Sequence, residues 1–201
     1  MSRAIAVLIS GRGSNLQALI DAMKSGALPA RIAVVISNKP EAPGLERARA
    51  AGIETLVVDH RKFASRDAFD AALARELKSR GVVLVCLAGF MRLIGTPMLE
   101  AFPNAILNVH PSLLPAFPGV SAQAQAIVHG VKVSGATVHL VTGELDGGPI
   151  ILQHAVEVRD DDTEQTLAAR ILEVEHRLYP EAVRLVLSGN WRLEGRRFVL
   201  P

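Results

Sequence analysis

Residues 5–23 read Ile-Ala-Val-Leu-Ile-Ser-Gly-Arg-Gly-Ser-Asn-Leu-Gln-Ala-Leu-Ile-Asp-Ala-Met, and this stretch decides the fold. Its first five residues are an uninterrupted apolar run, which is typical of a buried β-strand. After a glycine-rich loop, apolar side chains recur at i, i+3, i+4 and i+7, the spacing of one helix face, and the pattern ends near Gly26. A strand, a glycine-rich loop and a helix in this order predict the start of an α/β sheet.

The same alternation continues along the chain. Apolar runs predict strands at 32–36, 55–58, 82–87, 105–109, 136–141 and 149–156, and periodic segments predict helices at 44–51, 65–80, 122–129 and 163–188. A hairpin over 191–199 completes the chain. Because strands alternating with helices imply right-handed crossovers, we predict a Rossmann-like α/β fold, with a doubly wound, mostly parallel sheet and helices on both faces.

Composition limits the possible classes of protein. The 201 residues are 49% hydrophobic and 21% charged, which argues against disorder and suits a single globular domain over residues 1–201. The net charge is only +2 and there is no Lys/Arg run, which disfavours a nucleic-acid or membrane-surface partner. The single cysteine, Cys86, excludes an internal disulfide and a multi-cysteine metal site. Without an apolar run of ~18 residues or a signal-peptide pattern, we expect a cytoplasmic protein.

The first candidate site is the loop Ser10–Asn15. Its glycines let backbone N–H groups approach an anion at a helix N-terminus, and Ser14 and Asn15 can cap the helix or donate to the same phosphate. The loop is neither a dinucleotide fingerprint, because residue 16 is leucine, nor a Walker A loop. It therefore favours a phosphomonoester ligand, and the alternative is a tight turn before a capped helix.

The second candidate site is Asn108-Val109-His110, at the end of a predicted strand. Residues two apart project to the same face, so the Asn108 amide and the His110 imidazole point together at the edge where open α/β sheets bind ligands. No Ser or Cys lies directly beside them in the sequence, although Ser112 is near. Two donors without a covalent nucleophile suit direct acyl transfer, in which an oxyanion needs stabilisation. The alternative is that both side chains bond loop backbone.

The third candidate is Asp146, followed by two glycines that allow backbone to approach a ligand. Its carboxylate can hold His110 in the charged form, although a turn aspartate that bonds its own backbone is the simpler interpretation. His139 lies on a predicted strand and can face either the site or the back of the sheet. The other histidines show no metal-ligand spacing, so we predict no metal site.

Four segments together resemble the glycinamide ribonucleotide transformylases, a family of folate-dependent formyltransferases. They are Ser10–Asn15, Leu87–Arg92, Leu107–Pro115 and Glu144–Pro149. The resemblance runs in order from Ile5 to about Pro180. The Asn-x-His pair with the aspartate is common to all folate-dependent formyltransferases, whereas the Gly-Ser-Asn loop separates this family from the methionyl-tRNA formyltransferases.

The resemblance implies transfer of a formyl group from 10-formyltetrahydrofolate to the amine of phosphoribosylglycinamide in purine synthesis, with no metal or covalent intermediate. It implies small-molecule substrates, no nucleic acid and no membrane, and a monomer or homodimer. By position, the family's catalytic set falls on Asn108, His110 and Asp146, and the 5′-phosphate loop falls on Gly13, Ser14 and Asn15. The resemblance further places Glu175 near the glycinamide, and it assigns the folate to Arg66, Met91, Arg92, Leu93, Ile94 and Asn108, with backbone of 141–146. The phosphate-binding half is then about 1–100, and the catalytic and folate half about 101–201.

The chain also departs from the family pattern. It carries Ser121-Ala122-Gln123 where histidine is expected, Ala116 where a basic residue is common, and Gly143 in place of aspartate. Formyltetrahydrofolate hydrolase and methionyl-tRNA formyltransferase are alternatives, and their additional domains make them longer than this chain. A non-catalytic nucleotide-binding module that uses the loop at Gly13 is an alternative from another class. The enzyme hypothesis requires the side chains of Asn108, His110 and Asp146 to converge within hydrogen-bond or one-water reach, beside a cleft that leads to Gly13.

Overall fold

The computed structural model describes residues 2–201, which form two compact units. The first ends at Asn108 and the second runs from Val109 to Pro201. The elements of the first unit are β1 (Arg3–Ile9), α1 (Ser14–Lys24), β2 (Ala30–Ser37), α2 (Gly44–Ala50), β3 (Thr55–Val57), α3 (Arg66–Ser79), β4 (Leu84–Leu87), α4 (Thr96–Ala101) and β5 (Ile106–His110), whose last two residues belong to the second unit. That the chain is organised as a single domain stays a prediction.

The first unit is built on parallel strands in the order β3-β2-β1-β4-β5. Six of the seven residues of β1 and all four of β4 are buried, as expected for central strands that are covered on both faces. Helix α1 buries Leu16, Leu19 and Ile20, the face that its periodicity predicts. The thiol of Cys86 is buried within β4. The predicted order of strands and helices in this half is confirmed, apart from the additional helix α4.

Helix α4 was not foreseen in the sequence. It has six residues, with Pro97 in its first turn and Gly95 at its N-cap. Six residues are too few to show a helical period, so pattern alone cannot distinguish such a helix from a loop. Its N-terminus is fixed instead by a residue of α3, Asp70, which lies 25 positions earlier and accepts a hydrogen bond from the Gly95 amide.

The second unit contains α5 (Ala122–His129), β6 (Val133–Leu140), β7 (Ile150–Glu157), α6 (Glu164–Ser188), β8 (Arg192–Glu194) and β9 (Arg197–Val199). Its strands follow the order β6-β7-β9-β8: β6 and β8 are antiparallel to their neighbours, and β9 is parallel to β7. Thr163 and Thr166 form a capping box at the start of α6, which packs on β6 and β7 and runs through Pro180 to Ser188. No helix within residues 2–201 is long and apolar enough to cross a membrane.

Candidate active site

The loop Ser10–Asn15 lines a cavity of about 230 Å³ together with Ala88, Gly89 and Met91. Gly13 adopts a left-handed φ of 72° just before α1, and no side-chain hydrogen bond caps the helix at this residue. A Cβ on Gly13 would lie 2.7 Å from the α-carbon of Gly44, so the loop packs against the start of α2 without room for a side chain. A glycine loop at an uncapped helix N-terminus is suited to binding an anion.

A buried hydroxyl joins this loop to the segment after β4. Ser10 Oγ donates to Asn38 Oδ1 at 2.6 Å and accepts from the backbone N–H of Met91 at 2.8 Å. Because both interactions are buried or partly buried, they hold the Met91 backbone in place beside the cavity. The Asn38 amide Nδ2 in turn lies 3.3 Å from Nδ1 of His60.

The predicted folate residues of the first unit cluster around this segment. Met91 and Leu93 are largely exposed, whereas Ile94 is buried. Arg66 is the first residue of α3, and its Nε lies 3.3 Å from the position of a Cβ built on Gly95. Arg92 is partly buried, and its Nε has no hydrogen-bond partner among the described residues. Residues 91–94 and Arg66 thus provide apolar side chains and two cations, Arg66 and Arg92.

In the second unit, His110 and Asp146 are brought together. Both side chains are buried, and His110 Nδ1 lies 3.5 Å from Asp146 Oδ2, which also accepts the Gly119 amide at 2.8 Å. His110 Nε2 donates to the Phe117 carbonyl at 2.8 Å, and because a carbonyl only accepts, Nε2 carries a proton. The imidazole therefore bonds loop backbone, as the simpler interpretation predicted, and also faces the carboxylate, as the catalytic one predicted.

Asn108 lies two residues before His110 on β5 and is half-buried. Its Cα pairs with that of Leu87, the last residue of β4, which places it at the carboxyl end of the parallel strands of the first unit. Ligands bind at this edge in open α/β sheets.

Comparison with known proteins adds an independent observation: the model of the family described as formyl transferase matches residues 3–183. The chain belongs to the formyl transferase family. The predicted family resemblance and the α/β fold class with a mostly parallel sheet are thereby confirmed.

Individual members of the formyl transferase family agree with this placement. The trifunctional purine biosynthetic protein adenosine-3 of Drosophila melanogaster is 49% identical over 190 residues, which are 94% of this chain and 14% of that protein. The phosphoribosylglycinamide formyltransferase of Escherichia coli K12 is 46% identical over 96% of this chain and 88% of its own length. The crystal structure of glycinamide ribonucleotide transformylase 1 from Symbiobacterium toebii has a TM-score of 0.97 at 59% identity, covering 99% of this chain and 94% of that one. The trifunctional relatives are much longer than this chain, which spans 14% of the Drosophila melanogaster protein and 19% of the Homo sapiens protein of the same name.

One histidine that the sequence left undecided lies near the same carboxylate, that of Asp146. His139 is buried on β6, and its Nε2 lies 3.7 Å from Asp146 Oδ1, so the carboxylate has an imidazole near each of its oxygens. Burial lowers the pKa of His139, and the hydrogen bond to the Leu140 carbonyl and the charge of Asp146 oppose this effect. The register of β6 shifts between Val138 and His139, so strict alternation along the strand does not show which way this side chain points.

The loop that presents Asp146 is tightly packed. Asp146 adopts a left-handed φ of 50°, and a Cβ on Gly148 would lie 1.8 Å from the Leu140 carbonyl oxygen. A Cβ on Gly143, where the family resemblance leads us to expect aspartate, would meet nothing within 4 Å. The backbone at Gly148 therefore packs directly against the Leu140 carbonyl and has no room for a side chain, whereas position 143 has room for one.

The second unit also contains Glu175 and two of the positions that depart from the family pattern. Glu175 is buried in the middle of α6. At the first departing position, the backbone carbonyl of Ala116 accepts a hydrogen bond from the Ser112 hydroxyl at 2.5 Å. At the second, Ser121 precedes α5 with a left-handed φ of 56°. Within residues 2–201, no group of three or more His, Cys, Asp or Glu side chains is arranged to hold a metal ion.

Proposed function

We propose that this chain transfers the formyl group of 10-formyltetrahydrofolate to the amine of 5-phosphoribosylglycinamide, as a phosphoribosylglycinamide formyltransferase of purine biosynthesis. The observation that carries the proposal is the buried pair of His110 Nδ1 and Asp146 Oδ2 at 3.5 Å. A pair of this kind supplies a donor whose positive charge is balanced by a neighbouring carboxylate. The similarity to the phosphoribosylglycinamide formyltransferase of Escherichia coli and to glycinamide ribonucleotide transformylase 1 of Symbiobacterium toebii supports the same activity.

In the proposed reaction, the glycinamide amine attacks the formyl carbon and forms a C–N bond. The electron pair of the C=O bond moves to oxygen, and the resulting oxyanion accepts hydrogen bonds from the Asn108 amide and from His110, with Asp146 balancing the imidazolium charge. The bond from the formyl carbon to N10 then breaks as N10 takes up a proton and the attacking amine loses one. The products are the formylated glycinamide ribonucleotide and tetrahydrofolate.

His110 has a specific part in this scheme. Its Nε2–H is donated to the Phe117 carbonyl in the structure. The developing oxyanion is a stronger acceptor than a neutral carbonyl, because hydrogen bonds to charged groups are roughly twice as strong. We therefore expect the oxyanion to replace Phe117 as the acceptor during the reaction.

The remaining residues bind the two substrates in this proposal. Gly13, Ser14 and Asn15 hold the 5′-phosphate at the N-terminus of α1, where the helix dipole favours negative charge. The carboxylate of Glu175 lies near the glycinamide end of the substrate. Arg66 and residues 91–94 bind the folate, together with Asn108 and the backbone of residues 141–146.

We also propose that the chain acts on small molecules alone, in the cytoplasm, as a monomer or homodimer, without a nucleic acid or a membrane. The net charge of +2 and the lack of a Lys/Arg run support this proposal. Sedimentation of the purified chain tests the assembly, and a gel-shift assay with tRNA tests the absence of nucleic-acid binding.

The decisive experiment compares three formyl acceptors at a fixed concentration of 10-formyltetrahydrofolate: phosphoribosylglycinamide, water and methionyl-tRNA. We expect tetrahydrofolate to be released stoichiometrically with formylated ribonucleotide, and only when the ribonucleotide is present. Release with water alone assigns the chain to hydrolysis, and release with methionyl-tRNA assigns it to the tRNA-modifying relatives. No release with any acceptor, while phosphate compounds still bind, leaves the nucleotide-binding module as the correct alternative.

A further inference from the structure

A buried carboxylate lies next to the proposed folate segment and has no part in the chemistry described above. Asp70, on α3, has a relative exposure of 0%. Its Oδ2 accepts the Gly95 amide at 2.5 Å, and its Oδ1 is buried without a hydrogen-bond partner in the described part of the chain. Burial raises the pKa of Asp70, and the Gly95 hydrogen bond and the charges of Arg66 and Arg92 act against that rise. Burying a carboxylate costs free energy, so its position calls for a compensating role.

The group that Asp70 holds is the end of the folate segment. Gly95 follows residues 91–94 directly and is also the N-cap of α4. A Cβ on Gly95 would lie 2.9 Å from Asp70 Oδ2, so glycine is what permits this close approach. At the other end, the Met91 amide is held by Ser10 Oγ at 2.8 Å. Buried side-chain oxygens from two distant parts of the chain therefore fix both ends of the segment.

The charges of two cations of the proposed folate site act on the same carboxylate. Arg66 Nε lies 3.3 Å from the Cβ position built on Gly95, and Asp70 Oδ2 lies 2.9 Å from that position. Arg92 has a buried Nε with no hydrogen-bond partner among residues 2–201, and its charge acts on Asp70. Opposite charges in a partly buried setting attract one another. The carboxylate therefore favours positions of the two guanidinium groups near the segment.

We propose that Asp70 is a positioning residue for the formyl donor, which fixes residues 91–95 through the Gly95 amide and orients Arg66 and Arg92 for the anionic end of the folate. This inference rests on the proposed function, in which that segment binds folate. Asp70 does not touch the reacting atoms, so it acts on donor affinity rather than on the chemical step.

The test separates donor binding from catalysis. Asp70→Ala removes the acceptor of the Gly95 amide, and losing a hydrogen bond to a charged group corresponds to about a tenfold or greater loss of affinity when the loss falls on binding. We expect KM for 10-formyltetrahydrofolate and the Kd of tetrahydrofolate, measured by calorimetry, to rise at least about tenfold. We expect kcat at saturating donor and KM for the ribonucleotide to stay within about threefold of the wild type.

Three further variants control for a purely structural effect. Asp70→Asn keeps an oxygen for the Gly95 amide but removes the charge, so the Kd of tetrahydrofolate should lie between those of the wild type and Asp70→Ala. Gly95→Ala keeps the Asp70 carboxylate but places a methyl group 2.9 Å from its Oδ2, which displaces the Gly95 amide. It should raise the same Kd, and it provides a second test if Asp70→Ala does not fold. Glu76→Gln removes a half-exposed carboxylate of α3 that pairs with Arg80 at the C-cap of the helix, and it should leave the Kd unchanged.

The outcomes distinguish the two proposals. If the wild type does not bind tetrahydrofolate, the proposed function fails and the role of Asp70 fails with it. If the wild type binds tetrahydrofolate and folded Asp70→Ala and Gly95→Ala bind it equally well, the positioning role alone is overturned. If kcat falls and both KM values rise by similar factors, and the unfolding temperature is lower, Asp70 serves folding only.

Discussion

Replacing Gly148 by alanine tests whether the reaction depends on the placement of Asp146. The added methyl group would lie 1.8 Å from the Leu140 carbonyl oxygen and 2.9 Å from its carbonyl carbon. Both are backbone atoms, so no side-chain rotation relieves the contact. The two segments must separate by about 1.2 Å to reach the shortest contact that real Cβ atoms show, a strain typical of overpacked sites.

That displacement falls on the loop that carries Asp146 two residues earlier. A misplacement of about 1 Å in a catalytic arrangement costs about 100-fold in rate, so kcat for formyl transfer should fall by about that factor. Overpacking should lower the free energy of unfolding by about 1–3 kcal/mol, which in a domain of this size lowers the unfolding temperature by about 2–4 °C per kcal/mol. The assay is steady-state release of tetrahydrofolate at saturating substrates, with thermal unfolding measured in parallel.

Two other glycines of the same loop are matched controls. Alanine at Gly143 adds the same methyl group in open space, and its loss in kcat should be at least about tenfold smaller. The nearest atoms to a methyl group at Gly147 belong to the flexible side chain of Glu144, at 2.4 Å, so alanine at this position should give an intermediate result. If Gly148→Ala keeps kcat within a factor of three of Gly143→Ala, the position of Asp146 does not limit the reaction and the reasoning is refuted.

Three more variants follow from the described contacts. His110→Ala should lower kcat by about 10²–10³-fold, the usual loss for one oxyanion donor, and near-normal kcat in the folded variant would exclude His110 from the reaction. Gly13→Ala places a methyl group 2.7 Å from the α-carbon of Gly44 in α2. KM for the ribonucleotide should therefore rise, whereas KM for the formyl donor should not. Equal changes in both KM values would contradict a loop that binds only the phosphate. Burial lowers the pKa of His139, so the unfolded chain binds a proton near pH 6.5 that the folded chain binds only at lower pH. Stability should therefore fall as pH drops below about 6.5, by up to about 1.4 kcal/mol per pH unit, and urea unfolding of His139→Gln at pH 5 and 7.5 should show a smaller dependence; an unchanged slope would contradict this assignment.

The fold could be predicted where buried residues form a recognisable pattern in the sequence. The buried face of helix α1 is indicated by the helical spacing of Leu16, Leu19 and Ile20. The central strands are continuous apolar runs because both of their faces are covered. Helix α4 could not be predicted in this way. Its start depends on a hydrogen bond from Gly95 to a helix 25 residues away, which no local pattern records.

The candidate site could be predicted only in part, for the same reason. His110 and Asp146 were singled out by their local surroundings, and the structure places them 3.5 Å apart. His139 remained undecided because its alternation with Val138 and Leu140 does not show which face of the strand carries the site, and the structure adds a register shift at this position. The sequence does not single out Asp70, because a carboxylate on a largely polar helix is expected to be exposed to solvent. Only the three-dimensional packing shows that this residue is buried.

The burial of Cys86 has a practical consequence for measurements in solution. It is the only cysteine of the chain and its relative exposure is 0%, so the native protein presents no accessible thiol to a maleimide reagent. A cysteine introduced at Val120, which is 79% exposed, would take up a fluorescent label at a single position. That label would adjoin Gly119, whose amide contacts Asp146, and would report in real time on the loop beside the carboxylate.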